Sequence, residues 1–177
     1  MVLISSFFNE EYLLPWWLEH NRQYFDHAIL FDYFSTDRST EIVHSICPTW
    51  EVRKTRNKDW DFYDNDAEYM DAELEVDGYK MVLTTTEFLT GQVPKLPDKP
   101  TCFAVPFIRM VDNQPEKKPV YDKPLVDQKR FGFIDSSKHR FLHNYPDGKY
   151  YVGRHKTHLP TVPSSMWVFK YVFSPWT

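Results

Sequence analysis

The fold is decided by residues 2–37, VLISSFFNEEYLLPWWLEHNRQYFDHAILFDYFSTD, in which one pattern occurs twice. Two short apolar runs, Val2–Phe8 and His27–Asp32, are typical of buried parallel strands. The first run leads into helical periodicity over about 10–24, and the second into Ser-Thr-Asp, which favours the start of a helix that ends near Ile46. Two strand–helix units in so short a stretch predict an α/β domain with a mostly parallel sheet flanked by helices.

The same alternation continues through the first half of the chain. The pattern predicts a third strand at Trp50–Lys54, a third helix at Tyr63–Leu74 and a fourth strand at Tyr79–Thr84. Beyond this point glycine and proline interrupt the regular pattern. The sequence therefore predicts a single domain with two halves, residues 1–90 and residues 91–177.

The second half carries weaker signals of secondary structure. Alternating residues predict strands at Thr101–Val111, Phe131–Ile134 and Lys149–Arg154, and the segment from Asp112 to Lys129 is polar and rich in proline. The pattern at Ser164–Phe173 predicts a closing helix.

Composition narrows the classes of function. The net charge of −4 over 177 residues argues against a general nucleic-acid binder, because such proteins usually carry a basic surface. Cys47 and Cys102 lie in unrelated segments without metal-ligand spacing, so we expect two reduced, packed thiols. No apolar run reaches the roughly 18 residues of a membrane span, and the N-terminus lacks the features of a signal peptide. We therefore expect a cytoplasmic protein without a membrane span.

The N-terminal motifs resemble a known family. Residues 8–20, FNEEYLLPWWLEH, are similar to the opening of the glycosyltransferase family 2-like group, where a strand ends in Asn-Glu before a Leu-x-x-Trp-Leu-x-His helix. Residues 31–39, FDYFSTDRS, resemble the Asp-x-x-Ser-x-Asp turn that follows the second strand of that group. The resemblance implies a GT-A-like, Rossmann-related three-layer sandwich and a glycosyltransferase activity.

A later segment both extends the resemblance and departs from it. Residues 78–89, GYKMVLTTTEFL, align with a strand that in this group ends Leu-Asp-x-Asp-Glu-Phe-Leu. Thr84 and Thr86 stand at the two Asp positions, while Glu87 and Phe88 match.

The end of the chain resembles a closing motif of the group. Residues 168–176, VFKYVFSPW, match it, although the family often has His at the position of Lys170. Because the motif normally continues into another helix, we expect a domain of a longer protein. Within the group, the similarity to capsid-glycosylating enzymes of large DNA viruses, of the chlorella-virus type, is the most specific hypothesis.

The resemblance implies that a nucleoside diphosphate sugar, with a UDP-sugar favoured, binds at the carboxyl ends of the strands. Residues 1–90 are then the nucleotide-binding half and residues 91–177 the acceptor-side half. Asp32 ends the second strand, and its carboxylate can accept a hydrogen bond from a ring N–H of uracil or guanine. The alternative is that Asp32 only stabilises the following turn. The predicted nucleotide-binding residues are Ser5, Phe7, Asn9, Asp32, Asp37, Arg56, Thr84 and Thr85.

Several polar residues that follow the second and third strands have simpler explanations. Ser35 and Thr36 are expected to cap the second helix, and Asp37 either caps it or contacts the nucleoside. Arg56 either meets the base or phosphate or is a solvated side chain.

The family resemblance also implies a divalent cation. Paired carboxylates bring such an ion to the diphosphate, where it neutralises the departing nucleotide. Since threonine hydroxyls cannot replace two anionic ligands, we expect only weak, diphosphate-dependent binding of Mg²⁺ or Mn²⁺. The predicted metal site comprises Thr86, Glu87, His155 and His158, although Glu87 as a surface carboxylate and the histidines as structural residues stay open. Asp112 and Asp135 are, by position, the candidate bases for the acceptor hydroxyl of a glycan or glycoprotein.

Three other functions stay open. The missing acidic pair favours a catalytically weak domain that binds a nucleotide or glycan. An oxidoreductase or methyltransferase shares the α/β pattern, but no Gly-x-Gly-x-x-Gly follows the first strand, where Ser-Ser-Phe-Phe-Asn stands. An interaction module without a ligand is supported only by the aromatic content of 18%.

Overall fold

The structure is a computed structural model that describes residues 1–172. The strands of this part are β1 (Val2–Phe7), β2 (His27–Asp32), β3 (Glu51–Lys54), β4 (Lys80–Val82), β5 (Glu87–Thr90), β6 (Cys102–Met110), β7 (Gly132–His143), β8 (Val162–Pro163) and β9 (Trp167–Lys170). The helices are α1 (Leu14–Asn21), α2 (Ser39–Ile46), α3 (Phe62–Leu74) and α4 (Leu125–Gln128). None of the helices in residues 1–172 is long and apolar enough to cross a membrane.

The strands form one sheet in the order β3-β2-β1-β4-β7-β6-β9-β5, with β8 paired to β6. β1 is parallel to β2 and to β4, and β2 is parallel to β3. β7 is antiparallel to both β4 and β6, so it joins the parallel half to the second half. β9 is parallel to β6 and antiparallel to β5. The carboxyl ends of β1, β2, β3 and β4 therefore meet at one edge of the sheet.

Helices cover both faces of the parallel half. Successive side chains of a strand point to opposite faces, so neighbouring residues of β1 pack against different helices. Leu3 packs in a cluster with Trp17 of α1 and Val43 of α2. Ile4, the next residue of β1, packs in a second cluster with Tyr69 of α3. These two layers of helix around the sheet confirm the predicted fold class of an α/β three-layer sandwich.

The predicted alternation of the first half is confirmed, with element boundaries shifted by a few residues. Two predictions for the second half are wrong. Trp167–Lys170 is strand β9 rather than part of a closing helix, because its aromatic and β-branched side chains fit the pairing with β5 and β6; Phe173, the last residue of that predicted helix, lies outside the described residues. Lys149–Arg154 is not a strand but a set of turns, with an isolated bridge between Tyr150 and Thr157. Strand β7 is also much longer than the predicted Phe131–Ile134.

Candidate functional site

The turns that follow β1 and β2 are tied together by side-chain hydrogen bonds. Asn9 Oδ1 accepts from Thr36 N at 2.8 Å, and Ser35 Oγ accepts from Asn9 N at 3.1 Å. Asp37 accepts from Glu11 N at 3.0 Å and from the first backbone N–H of α2 at 2.9 Å. The predicted capping role is therefore wrong for Ser35 and Thr36, whose hydroxyls face Asn9, and Asp37 takes it instead.

The same two turns contain backbone in the left-handed region. Asn9 has φ 50° and Phe34 has φ 59°, and a bulky residue such as phenylalanine rarely adopts this conformation. Such strain costs on the order of 1 kcal/mol or more, and the surrounding contacts must hold the strained backbone in place.

Aromatic rings are exposed at the same edge of the sheet: Phe8 after β1 is 57% exposed, Phe34 after β2 is 48% exposed, and Trp60 beyond β3 is 58% exposed. An edge with flat apolar surfaces suits the stacking of a base or sugar ring.

Asp32 lies at the end of β2 and is buried. Its Oδ1 accepts from Ser35 N at 2.8 Å, so the carboxylate does stabilise the turn. Its Oδ2 lies 3.8 Å from Nζ of the exposed Lys54, whose ammonium is also 5.4 Å from the centre of the Phe34 ring. One carboxylate oxygen is therefore held by the turn, while the other faces an exposed surface lysine that a ligand can displace.

The turn between β4 and β5 joins the same edge. Thr85 Oγ1 donates to Glu10 Oε1 at 2.9 Å, which ties this turn to the segment after β1. Trp17 Nε1 donates to the carbonyl oxygens of Thr84 at 3.0 Å and Glu87 at 2.8 Å, so helix α1 holds the turn from below. Burial raises the pKa of Glu10, although the hydrogen bond from Thr85 opposes the shift. The tips of β1, β2 and β4 thus form one connected surface.

Glu87 lies fully buried beneath this surface, where donors fill both its oxygens. Arg140 binds it through two parallel hydrogen bonds of 2.9 Å, Lys170 Nζ lies 3.0 Å from Oε1, and Thr84 N donates to Oε2 at 2.9 Å. Burial alone would raise the pKa of Glu87, but the charges of Arg140 and Lys170 outweigh burial and lower it. Glu87 is therefore an ionised counterion for the buried Arg140 and the half-buried Lys170, with no oxygen left for a metal ion.

The threonine positions are occupied by a protein cation as well. Thr84 Oγ1 accepts from Lys170 Nζ at 2.7 Å and lies 3.1 Å from Thr86 Oγ1. A divalent cation prefers anionic oxygen ligands, and an ammonium bound to the same oxygens repels it. Within residues 1–172, no group of three or more His, Cys, Asp or Glu side chains is placed to hold a metal ion. The residues at this position do not fit Mg²⁺ or Mn²⁺.

The two predicted histidines lie in different surroundings. His155 Nδ1 is 3.2 Å from Arg140 Nη1, beside the Glu87 cluster, and burial together with the charge of Arg140 lowers the pKa of His155 to about 4. His158 instead stacks on Tyr151, with ring centres 4.2 Å apart. Of the two histidines, His155 is thus the one that contacts the Glu87 cluster, and it is neutral there at pH 7.

Three predicted nucleotide-binding residues have other contacts. Ser5 and Phe7 are buried inside the sheet layer, so their side chains do not reach the surface. Arg56 forms an exposed ion pair of 2.6 Å with Asp71 of α3, and its backbone N–H donates to Glu68. Of these three, only Arg56 can reach a ligand, by exchanging one exposed partner for another.

Both candidate bases are ion-paired. Asp112 lies 2.7 Å from Lys129 Nζ and is almost buried. Asp135 lies 2.6 Å from Arg109 Nε, and hydrogen bonds from Ser137 and Arg109 lower the pKa of Asp135 to about 2. A carboxylate with so low a pKa is a weak base, which counts against Asp135 in this arrangement.

Sequence reasoning missed Arg140 and Glu10. Arg140 is a nearly buried charge in β7, followed by the apolar Phe141 and Leu142, and a buried charge requires a partner of opposite sign. The segment His-Arg-Phe-Leu-His carried that signal, but the partner Glu87 is 53 residues away and cannot be identified from spacing. For Glu10, the only indication in the sequence was its place next to Asn9 in the Asn-Glu motif.

No protein-family model matches the chain, and no curated protein matches it. Among solved structures, the chain is similar to S. aureus TarS 1–349, with a TM-score of 0.43 and 14% identity over 67% of this chain and 37% of that chain. TarS 1–349 in complex with UDP-GlcNAc gives the same TM-score and identity over 36% of that chain, and S. aureus TarS gives 0.40 and 12% over 22%. The chain thus spans well under half the length of these structures. Because the TM-scores lie below 0.5, the class of fold rests on the strand order, pairing and layers described above.

Proposed function

We propose that this chain is the nucleotide-sugar-binding domain of a glycosyltransferase, which transfers a sugar from a nucleoside diphosphate to a glycan or glycoprotein acceptor. The observation that carries the proposal is the convergence of the tips of β1, β2 and β4 on one edge. Asn9 ties the first tip to the second, and the hydrogen bond from Thr85 to Glu10 ties the first to the third. Ligands of open α/β sheets bind outside the carboxyl ends of the strands, at such an edge.

The chemistry of the edge supports the same ligand. Asp32 offers a carboxylate oxygen to a base N–H, and the exposed rings of Phe8 and Phe34 offer stacking surfaces. Lys170 and Arg140 supply positive charge next to the Thr84 hydroxyl, where a diphosphate needs it. The motifs of the first half favour a UDP-sugar as donor, and the motif resemblance alone favours viral capsid glycans as the first acceptors to test.

A thermal-shift panel of UDP, GDP, CDP and ADP, each with and without Mn²⁺, tests the proposal. A ligand at about 100 times its Kd stabilises the folded state by about 2.7 kcal/mol, which for a domain of this size raises Tm by about 5 to 11 °C. No shift with any of the four nucleotides would refute it.

The variant Asp32→Asn tests whether Asp32 binds the base of the nucleotide. The asparagine oxygen can still accept from Ser35 N, but its amide then donates at the position where the base N–H donates, so the nucleotide shift should disappear while the fold is kept. Asp98→Asn is the matched control, because Asp98 is exposed and lies in the loop before β6, away from the carboxyl edge. An unchanged shift in Asp32→Asn would remove Asp32 from the site.

A catalytically weak binding domain is the second candidate, and the ion pairs of Asp112 and Asp135 favour it because both candidate bases are occupied. Turnover of radiolabelled UDP-glucose and UDP-GlcNAc separates the two. Binding without transfer or hydrolysis would favour the binding domain, and release of UDP with acceptor labelling would favour the transferase.

A further inference from the structure

The cluster around Glu87 carries more positive than negative charge. Arg140 and Lys170 both contact the single carboxylate of Glu87, which leaves the three side chains with a net charge of +1. His155 faces the cluster from the loop after β7 and is neutral at pH 7, since its pKa is about 4. Arg154 is paired with Asp66, and Glu10, which faces the cluster from the β1 side, accepts a hydrogen bond from Thr85 and lies outside the three directly bonded charges. A partly buried surplus of positive charge favours an anionic ligand.

The surplus charge lies where a ligand can reach it. Glu87 is fully buried and Arg140 is 4% exposed, whereas the Lys170 side chain is 18% exposed. Its ammonium is bound to the Thr84 hydroxyl, which is half-buried like that of the adjacent Thr86. An ammonium with two neighbouring hydroxyls matches the oxygens of a phosphate group.

The position of this group matches the path of a nucleotide across the edge. β1 lies between β2 and β4, so the tips that carry Asp32 and Thr84 are about 10 Å apart. A nucleoside that contacts Asp32 and the rings after β1 and β2 can therefore extend its phosphates across β1 to Thr84. The end of β9 brings Lys170 to that point, because Lys170 pairs with Glu87 across β5 and β9.

We propose that Lys170, supported by Glu87 and Arg140, binds the diphosphate of the nucleotide sugar directly and takes the place of a divalent cation. The inference rests on the proposed function, because it names the group that recognises the phosphates of the same ligand. Because the threonines make a metal ion unsuitable, the diphosphate needs a fixed positive charge at this point, and Lys170 supplies that charge. Binding of the diphosphate is then independent of added metal.

Isothermal titration calorimetry with UDP and uridine, and with GDP and guanosine, in EDTA and in Mn²⁺, tests the inference. In the wild type the diphosphate should bind in EDTA, and Mn²⁺ should change its Kd by less than about threefold. Lys170→Met should weaken binding of the diphosphate by about 10- to 100-fold, the usual value of a charge-assisted hydrogen bond, and leave binding of the nucleoside unchanged. Lys170→Arg, which keeps the charge, should recover most of the affinity.

Lys99→Met is the matched control. Lys99 is exposed and precedes β6, whose first residue pairs through β7 with the first residue of β4, so it lies at the opposite edge of the sheet. The control should bind the diphosphate as the wild type does. If Lys170→Met does not fold, Lys170→Gln provides the same comparison, because its amide can still donate to Glu87.

The outcomes separate the inference from the proposed function. Diphosphate binding that requires Mn²⁺ in the wild type, or equal affinity in Lys170→Met or Lys170→Gln, would overturn the inference and leave the proposed function standing. Failure of every diphosphate and nucleoside to bind the wild type in either buffer would overturn both.

Discussion

Glu87→Gln is the substitution that tests whether this carboxylate is a structural counterion or a ligand for a metal. The amide keeps the shape of the side chain but removes its charge and one acceptor. Arg140 and Lys170 then share a neutral group, and the new NH₂ faces donors that the carboxylate accepted from. Two buried or half-buried cations are left without a counterion.

The size of the effect follows from burial. Glu87 is fully buried, and breaking a buried ion pair by removing one partner costs about 3 to 5 kcal/mol. For a domain of 150 to 250 residues, each kcal/mol lowers Tm by about 2 to 4 °C. The expected decrease in Tm is therefore about 6 to 20 °C, in the absence of any metal.

The effect should also depend on pH in one direction. The pKa of Glu87 is lower in the folded state than its ordinary value of 4.5, so its contribution is fully present above about pH 4.5 and is lost as pH falls below that value. The loss is about 1.4 kcal/mol for each pH unit. The difference in Tm between wild type and Glu87→Gln should therefore narrow in acid.

Glu41→Gln is the matched control, measured by the same thermal denaturation followed by circular dichroism. Glu41 binds Arg38 through two hydrogen bonds of 3.0 and 2.7 Å, as Glu87 binds Arg140, but both side chains of that pair are exposed. We expect no measurable change in Tm for the control. A Glu87→Gln variant as stable as Glu41→Gln, with a loss of function only when Mn²⁺ is present, would refute the assignment of Glu87 as a counterion.

Two further predictions address the same edge. The folded state keeps His155 neutral with a pKa of about 4 against 6.5, so its contribution is present above pH 6.5 and is lost as pH falls towards 4; His155→Gln should reduce the decrease of Tm in that window, and an unchanged slope would contradict this. The triple variant Thr84→Asp, Thr86→Asp, Lys170→His introduces the acidic pair and the histidine of the family that the sequence resembles. Calorimetry should show that Mn²⁺ raises its affinity for UDP by at least about tenfold, and a response to Mn²⁺ equal to that of the wild type would contradict the prediction.

The first half of the fold was predictable because its signals are local. Each strand of the parallel half is a short apolar run, and each helix follows it directly in sequence, so Val2–Phe7 and His27–Asp32 could be identified without knowledge of their neighbours. The second half depends on contacts between distant segments. Trp167–Lys170 becomes a strand only because β5 and β6 are available to pair with it, and pairing partners do not show in the sequence of the strand itself.

The candidate site also contains residues that local sequence predicts and residues that it does not. The position of Asp32 at the edge follows from its place after a parallel strand, and the role of Asn9 follows in part from its motif. The cluster of Glu87 with Arg140 and Lys170 could not be predicted, because it depends on the register of three strands from different parts of the chain. A one-residue shift of β9 would turn Lys170 to the other face of the sheet.

The charge of the site explains why the threonines and Lys170 belong together. With Thr84 and Thr86, the two bases and Glu87 give a net charge of +1, which attracts a diphosphate. Aspartates at both positions, with the same two bases, would give three carboxylates against two cations and a net charge of −1, which repels a diphosphate unless a divalent cation is added. A change at the two acidic positions therefore reverses the sign of the charge of the site, and with it the sign of the charge on the ligand that the site accepts. A lysine at the end of β9 stabilises a diphosphate only when the two neighbouring acids are absent, so the departure at Thr84 and Thr86 and the departure at Lys170 are two parts of one electrostatic arrangement.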